Sequence, residues 1–186
     1  SASERVEPAD MEAAMARCGA FRGAGMALAA PEAPLAARVR LLELAGGYGF
    51  FRAAAIRSGE AAEALRRGLF RHADLVALNA DEARAVAGSP DGTPPEGCRE
   101  AVAAALTAVQ PGVRIVVTAG ERGAMAFADG QWTSVPPCPA KAVNTAGAGD
   151  AFLGGLLAGE ALGMPFLPDA VQLATLIASL KVTSRD

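Results

Sequence analysis

Four short apolar runs, separated by segments of helical period, leave this chain few ways to fold. The runs are 25–30, 48–56, 74–78 and 113–118. Each is too short for a helix, and the last is dense in β-branched residues, so all four are expected to be buried strands. The intervening segments 8–18, 34–44, 58–69, 80–87 and 100–109 place apolar residues three and four apart, and are expected to be helices. Pro8 suits the first turn of its helix, and Gly46-Gly47 is expected to end the second. Strand and helix in alternation predict a parallel sheet with helices on its faces. The three prolines and two glycines of 89–97 predict a loop. Residues 124–128 and 131–135, joined by Asp129-Gly130, predict a hairpin with a type I′ turn. Pro136, Pro137 and Pro139 make a stiff connection. A short strand closing at Val143 and helices over 148–162 and 168–182 complete the reading. All 186 residues are expected to form a single α/β domain.

In parallel sheets, ligands bind beyond the C-terminal ends of the strands. Asn79, Thr118 and Asn144 are each expected there. The stretch Asn144-Thr145-Ala146-Gly147-Ala148-Gly149-Asp150 runs straight into the apolar segment Ala151-Phe152-Leu153. Two glycines with an alanine between them crowd backbone N–H groups at a helix start. Those unpaired donors and the helix dipole both attract anions. A carboxylate repels phosphate, so Asp150 makes poor sense as part of that cradle and good sense as a base. It could take a proton from a hydroxyl while Gly147, Ala148 and Gly149 stabilise a transferring phosphoryl group. The plainer reading is a glycine-rich helix start with an Asp complementing the dipole.

Asn79 and Glu82 stand three apart at another helix start. They form either a capping-box arrangement or a pair facing a phosphate-bound Mg²⁺ through water. Thr118, Gly120 and Gly123 follow a buried strand. They read as a plain turn or as a close backbone approach to a nucleotide. G-x-x-x-x-G-K-[ST] is absent, as is a complete G-x-G-x-x-G, so neither a P-loop nor a dinucleotide fingerprint is present.

Three segments in order resemble the ribokinase-like (PfkB) carbohydrate kinase family over roughly residues 60 to 186. Val143 to Phe152 is similar to its Asp-Thr-x-Gly-Ala-Gly-Asp signature. Asn79-Ala80-Asp81-Glu82 is similar to its Asn-x-x-Glu motif, and Thr118 to Gly123 to its Thr-x-Gly-x-x-Gly loop. The resemblance implies a three-layer α/β/α sandwich with a mostly parallel sheet, whose N-terminal strands and lid fall outside this chain. It implies an ATP-dependent kinase that phosphorylates a hydroxyl of a small sugar, with Asp150 as general base and Gly147, Ala148 and Gly149 as anion cradle. Thr118, Gly120, Gly123, Asn144, Thr145 and Thr175 would hold the nucleotide, and Asn79 and Glu82 the Mg²⁺. Thr175 stands where relatives often carry an Asn beside the adenine. Relatives place an Asp at position 144 within a monovalent-cation loop. Here it is Asn, which leaves a potassium requirement open. A nucleoside kinase of the same family and a non-catalytic nucleotide-binding module are the alternatives. The resemblance also implies a homodimer for the full-length protein.

Composition narrows the classes. Hydrophobic residues make up 52% and charged residues 20%, which fits a folded domain. The net charge is -3, with no basic patch of the kind nucleic acid requires. Seventeen cationic side chains include only two lysines, Lys141 and Lys181. Cys18, Cys98 and Cys138 show neither a disulfide framework nor zinc spacing, which fits a reducing cytoplasm. His72, the only histidine, is expected at a helix end rather than in catalysis. No membrane span is expected.

Overall fold

The computed structural model describes residues 5–183. The chain forms two compact units, one reaching to Ile115 and one beginning at Val116. The elements of the first are α1 (Pro8–Arg17), β1 (Met26–Ala29), α2 (Leu35–Gly47), β2 (Phe51–Ala55), α3 (Ala61–Arg66), β3 (Leu75–Asn79), α4 (Ala80–Ala87) and α5 (Pro95–Thr107). Strand β4 (Arg114–Thr118) carries the boundary, and β5 (Ala124–Ala128), β6 (Gln131–Val135), α6 (Ala148–Ala161) and α7 (Val171–Thr183) belong to the second. The strands follow one another in sheet order β1-β2-β3-β4-β5-β6. The expected α/β class is therefore observed.

In the first unit β1, β2 and β3 run parallel, with Leu28 opposite Ala53 and Ala54 opposite Val76. Ala53, Ala54, Leu75 and Val76 are wholly buried, as are Leu42, Phe70 and Leu106. Small residues on β2 let helices sit close to the sheet, while large ones on its neighbours fill the space. One cation lies in this core. Arg38 of α2 is 2% exposed. It donates to the carbonyl of Ala55 at 3.1 Å and to Glu60 Oε2 at 2.6 Å. A buried guanidinium is tolerable only with such partners, and its Nε has none.

Four local expectations are corrected. Gly46 and Gly47 lie inside α2, and the residue in left-handed conformation is Gly49, φ +69°. The two glycines form the last residues of the helix rather than the stop beyond it, and a side chain at Gly46 would meet only the flexible end of Arg52, Nη1 at 2.9 Å. The helix expected over 58–69 is broken at Gly68, φ +77°, into a 3₁₀ turn, α3 and a second 3₁₀ turn that ends at His72. The proline-rich loop stops at Pro94, because Pro95 is buried as the first residue of α5, where a missing N–H costs nothing.

In the second unit the β5–β6 hairpin has the expected register, Ala128 opposite Gln131. Asp129 and Gly130 both take positive φ, +51° and +81°, as a type I′ turn demands. The strand expected at Val143 does not form, which is the fourth correction. The N–H groups of Val143 and Asn144 instead share the carbonyl of Val182, at 2.7 and 3.1 Å. The end of α7 supplies an acceptor that no neighbouring strand offers.

Helices α6 and α7 meet through glycine. A Cβ on Gly155 would stand 3.0 Å from Ala174 Cα, and one on Gly159 2.8 Å from Ala170 Cβ. By length and composition, Phe166–Thr183 is apolar enough to cross a membrane, with mean hydropathy 1.2. It contains Pro168, Asp169 and Lys181, and it turns Ala170, Ala174 and Ile177 onto α6.

Candidate active site

The Asn144–Asp150 stretch builds a helix start in three steps. Asn144 Oδ1 accepts from the N–H of Ala146 at 2.9 Å and bends the chain. Gly147 then takes φ +74° as the N-cap of α6, a conformation that side chains disfavour. Ala148 donates to the carbonyl of Thr145 at 3.2 Å, and Ala151 returns to Gly147 at 2.9 Å. Between them, the N–H groups of Gly149 and Asp150 belong to the first turn and have no acceptor within the helix. A Cβ at Gly149 would meet nothing within 4 Å. The glycine is thus not required by packing and keeps the approach to those donors open. Asp150 is exposed in the same first turn.

This helix start borders a cavity of about 550 Å³ within the second unit. Volumes of this size hold cofactor-sized ligands. Of the residues singled out in the sequence, Thr118, Gly120, Gly123, Thr145, Ala148, Gly149 and Thr175 line it. Asn144, Gly147 and Asp150 are not in its wall but flank residues that are. Gly123 takes φ +86°, and a Cβ there would fall 2.3 Å from the carbonyl oxygen of Val135.

Cys138 and Ser179 also line the cavity and were not foreseen, while Glu121 and Phe152, inside the Thr118–Gly123 and Val143–Phe152 segments, line it without a role having been assigned to them. Ser179 stands one helical turn beyond Thr175, the one signal that marked it in advance. Thr175 is 5% exposed and donates its hydroxyl proton to the carbonyl of Val171 at 2.8 Å. Ser179 places its proton between the carbonyls of Thr175 and Cys138, at 2.9 and 3.2 Å. Toward a ligand, both hydroxyls can therefore act only as acceptors.

Asn79 and Glu82, in the first unit, form a reciprocal cap on α4. Asn79 Oδ1 accepts from the N–H groups of Asp81 and Glu82, both at 2.9 Å. Glu82 returns Oε2 to the N–H and Oε1 to the Nδ2 of Asn79, both at 2.8 Å. The capping arrangement is realised in full. Both carboxylate oxygens keep a second lone pair, so a water-mediated contact to Mg²⁺ fits them better than a direct one. Among the described residues no group of three His, Cys, Asp or Glu side chains forms a metal cage. Magnesium bound mainly by phosphate and water does not need one. Asn79→Ala is expected to lose about 1 kcal/mol of stability in urea titration. A loss below a few tenths would show that Glu82 alone holds the turn.

Burial pushes the Glu82 carboxyl above its ordinary value of 4.5, the Asn79 N–H opposes the shift, and the charge of Glu60 adds to it. A raised carboxyl binds its proton more tightly in the folded chain than in the unfolded one. Folding is therefore expected to strengthen as pH falls through the raised value toward 4.5. Glu82→Gln should flatten this window in denaturant midpoints measured against pH. Parallel curves for the two proteins would refute it.

A family model described as pfkB family carbohydrate kinase matches residues 24–186. The chain belongs to the pfkB family of carbohydrate kinases. Among curated relatives, this pfkB chain is 33% identical to the uncharacterized sugar kinase YegV of Escherichia coli (strain K12), over 69% of the chain and 39% of the relative. It is 44% identical to inositol 3-kinase of Arabidopsis thaliana, over 37% of the chain and 19% of the relative. Among solved structures, Arabidopsis thaliana ribokinase complexed with ribose and ATP superposes with a TM-score of 0.73 at 22% identity, covering 89% of this chain and 52% of that one. A probable sugar kinase from Rhizobium etli CFN 42 gives 0.68 at 25%, covering 81% and 44%. The pfkB chain thus spans about half the length of these solved structures, and less of the curated relatives. The ribokinase fold expected from the three motifs is shared.

Proposed function

We propose that this chain carries the nucleotide-binding half of an ATP-dependent kinase that transfers the γ-phosphate to a hydroxyl of a small sugar. The observation that carries the reading is the start of α6, where Gly147 turns the chain, Gly149 leaves two N–H groups accessible and Asp150 stands exposed beside them. Names of relatives such as inositol 3-kinase and the fructokinase of Klebsiella pneumoniae support a sugar or polyol as the acceptor class.

Asp150 accepts the proton of the acceptor hydroxyl as its oxygen bonds to the γ-phosphorus and the bond to the ADP oxygen breaks. The free N–H groups of Gly149 and Asp150, in the cradle whose turn Gly147 and Ala148 form, stabilise the charge on the transferring group. Thr118, Gly120, Gly123, Thr145 and Thr175 enclose the nucleotide, and Asn144 shapes the approach to the cradle. Magnesium, when bound, would offset phosphate charge, and Asn79 and Glu82 are the residues that would hold it through water. Both units are read as parts of a single α/β domain.

A coupled assay for ADP release tests the reading on the full-length gene product, with Mg²⁺ and separate panels of sugars, polyols and nucleosides. ADP formation that depends on a sugar or polyol supports it. Turnover on nucleosides alone would reassign the acceptor. ATP binding with no turnover on any acceptor would reduce the chain to a binding module.

A further inference from the structure

We propose that Glu121 reads the ribose of the nucleotide donor, through its 2′- and 3′-hydroxyls. The inference rests on the nucleotide reading of the cavity and names a specificity residue within it. Among the described residues, Glu121 is the one charged residue in the cavity wall. Among the described residues its carboxylate has no protein partner. It is exposed, at the tip of a closed turn. That turn is tied by Ala119 N–H to the Gly123 carbonyl at 2.8 Å, and by Gly123 N–H to the Gly120 carbonyl at 3.0 Å. The steric fit of Gly123 against Val135 fixes its base. The backbone that carries Glu121 at the cavity wall is thus held, with little freedom left to lose.

An ionised carboxylate only accepts hydrogen bonds, so its partner on the ligand must donate. A nucleoside triphosphate has three kinds of group to offer. The phosphates are excluded by charge, and the start of α6 already offers them donors. A base amino group has acceptors elsewhere in the wall, in the committed hydroxyls of Thr175 and Ser179. The ribose diol remains. Two neighbouring hydroxyls can each donate to one carboxylate oxygen, a charge-assisted pair that a deoxyribose halves and a dideoxyribose abolishes. An acidic residue serves the ribose of dinucleotides in the same chemical way.

The test measures affinity, not turnover. ATP, 2′-deoxy-ATP and 2′,3′-dideoxy-ATP are titrated by calorimetry into the full-length protein and its Glu121→Ala and Glu121→Gln variants. The unaltered protein should bind the deoxy and dideoxy nucleotides progressively more weakly, by about tenfold for each hydroxyl lost. Glu121→Ala should bind all three alike, near the level of the dideoxy nucleotide. Glu121→Gln, with one acceptor oxygen, should fall between. Equal affinity of the unaltered protein for the three nucleotides, or discrimination that survives in Glu121→Ala, overturns the proposal. If ATP itself does not bind, the nucleotide reading fails first and this one with it.

Discussion

Asp150→Asn is expected to lower phosphotransfer by roughly 10²–10⁴-fold, the usual contribution of a positioned general base. ATP affinity should change little or rise, since the substitution removes a negative charge beside an anion cradle. The residue is exposed in the first turn of α6, so the fold should be unaffected. The amide is isosteric and keeps the hydrogen-bonding reach, but it cannot take up a proton from the acceptor. Single-turnover rates with calorimetric ATP binding separate the two effects. A variant that keeps a rate within a few-fold of the unaltered enzyme would remove Asp150 from the chemistry and leave it a dipole-complementing helix residue.

Gly123→Ala is expected to be the most destabilising single-methyl change in the second unit. Its backbone, φ +86° and ψ −135°, lies where side chains are strongly disfavoured. The strain alone costs about 1–3 kcal/mol. The new Cβ would also press on Val135 O, Pro137 N and Pro136 C at 2.3, 2.7 and 2.8 Å. All three are backbone atoms, so no side chain can swing aside, and overpacking adds another 1–3 kcal/mol. The total, about 2–6 kcal/mol, is a large share of a typical domain's stability. Urea denaturation of Gly123→Ala against the neighbouring exposed site Gly120→Ala checks it. At Gly120 the space is open and only the conformational penalty applies. Equal losses at the two sites would show that the Val135–Pro137 segment yields easily.

Where one physical requirement dominates, the sequence reads through to the structure. Asp129-Gly130 demands a two-residue turn, and the hairpin has its expected register. The limits of α4 are legible because Asn79 and Glu82 form a capping device closed within four residues. The readings that failed depend on partners far along the chain. Gly46-Gly47 looked like a helix stop, but the chain turns left-handed only at Gly49, just after Tyr48, whose carbonyl accepts from the distant Gly23 N–H. Val143 looked like a strand end but answers to Val182. Pro95 looked like loop and proved to be a buried first helical residue. In the candidate site, the glycines and Asp150 announce themselves because backbone chemistry needs particular residues at fixed spacing. Cys138 and Ser179 entered the cavity unannounced, because a wall is assembled by tertiary packing from ordinary side chains.

The glycine seam between α6 and α7 bears on how this protein can change over generations. At Gly155 the two helices already touch, and at Gly159 α6 touches Ala170 just before α7, each at 3.0 Å or less from the position of a missing Cβ. No substitution there can remove an atom, so every amino-acid replacement adds one. Both helices contribute wall to the same cavity, α6 through Phe152 and α7 through Thr175. Ligand preference can drift gradually at the side chains of that wall. At the seam the available mutations all push in one direction, so a lineage can lose this spacing in one step but has no smaller neighbouring variant through which to adjust it.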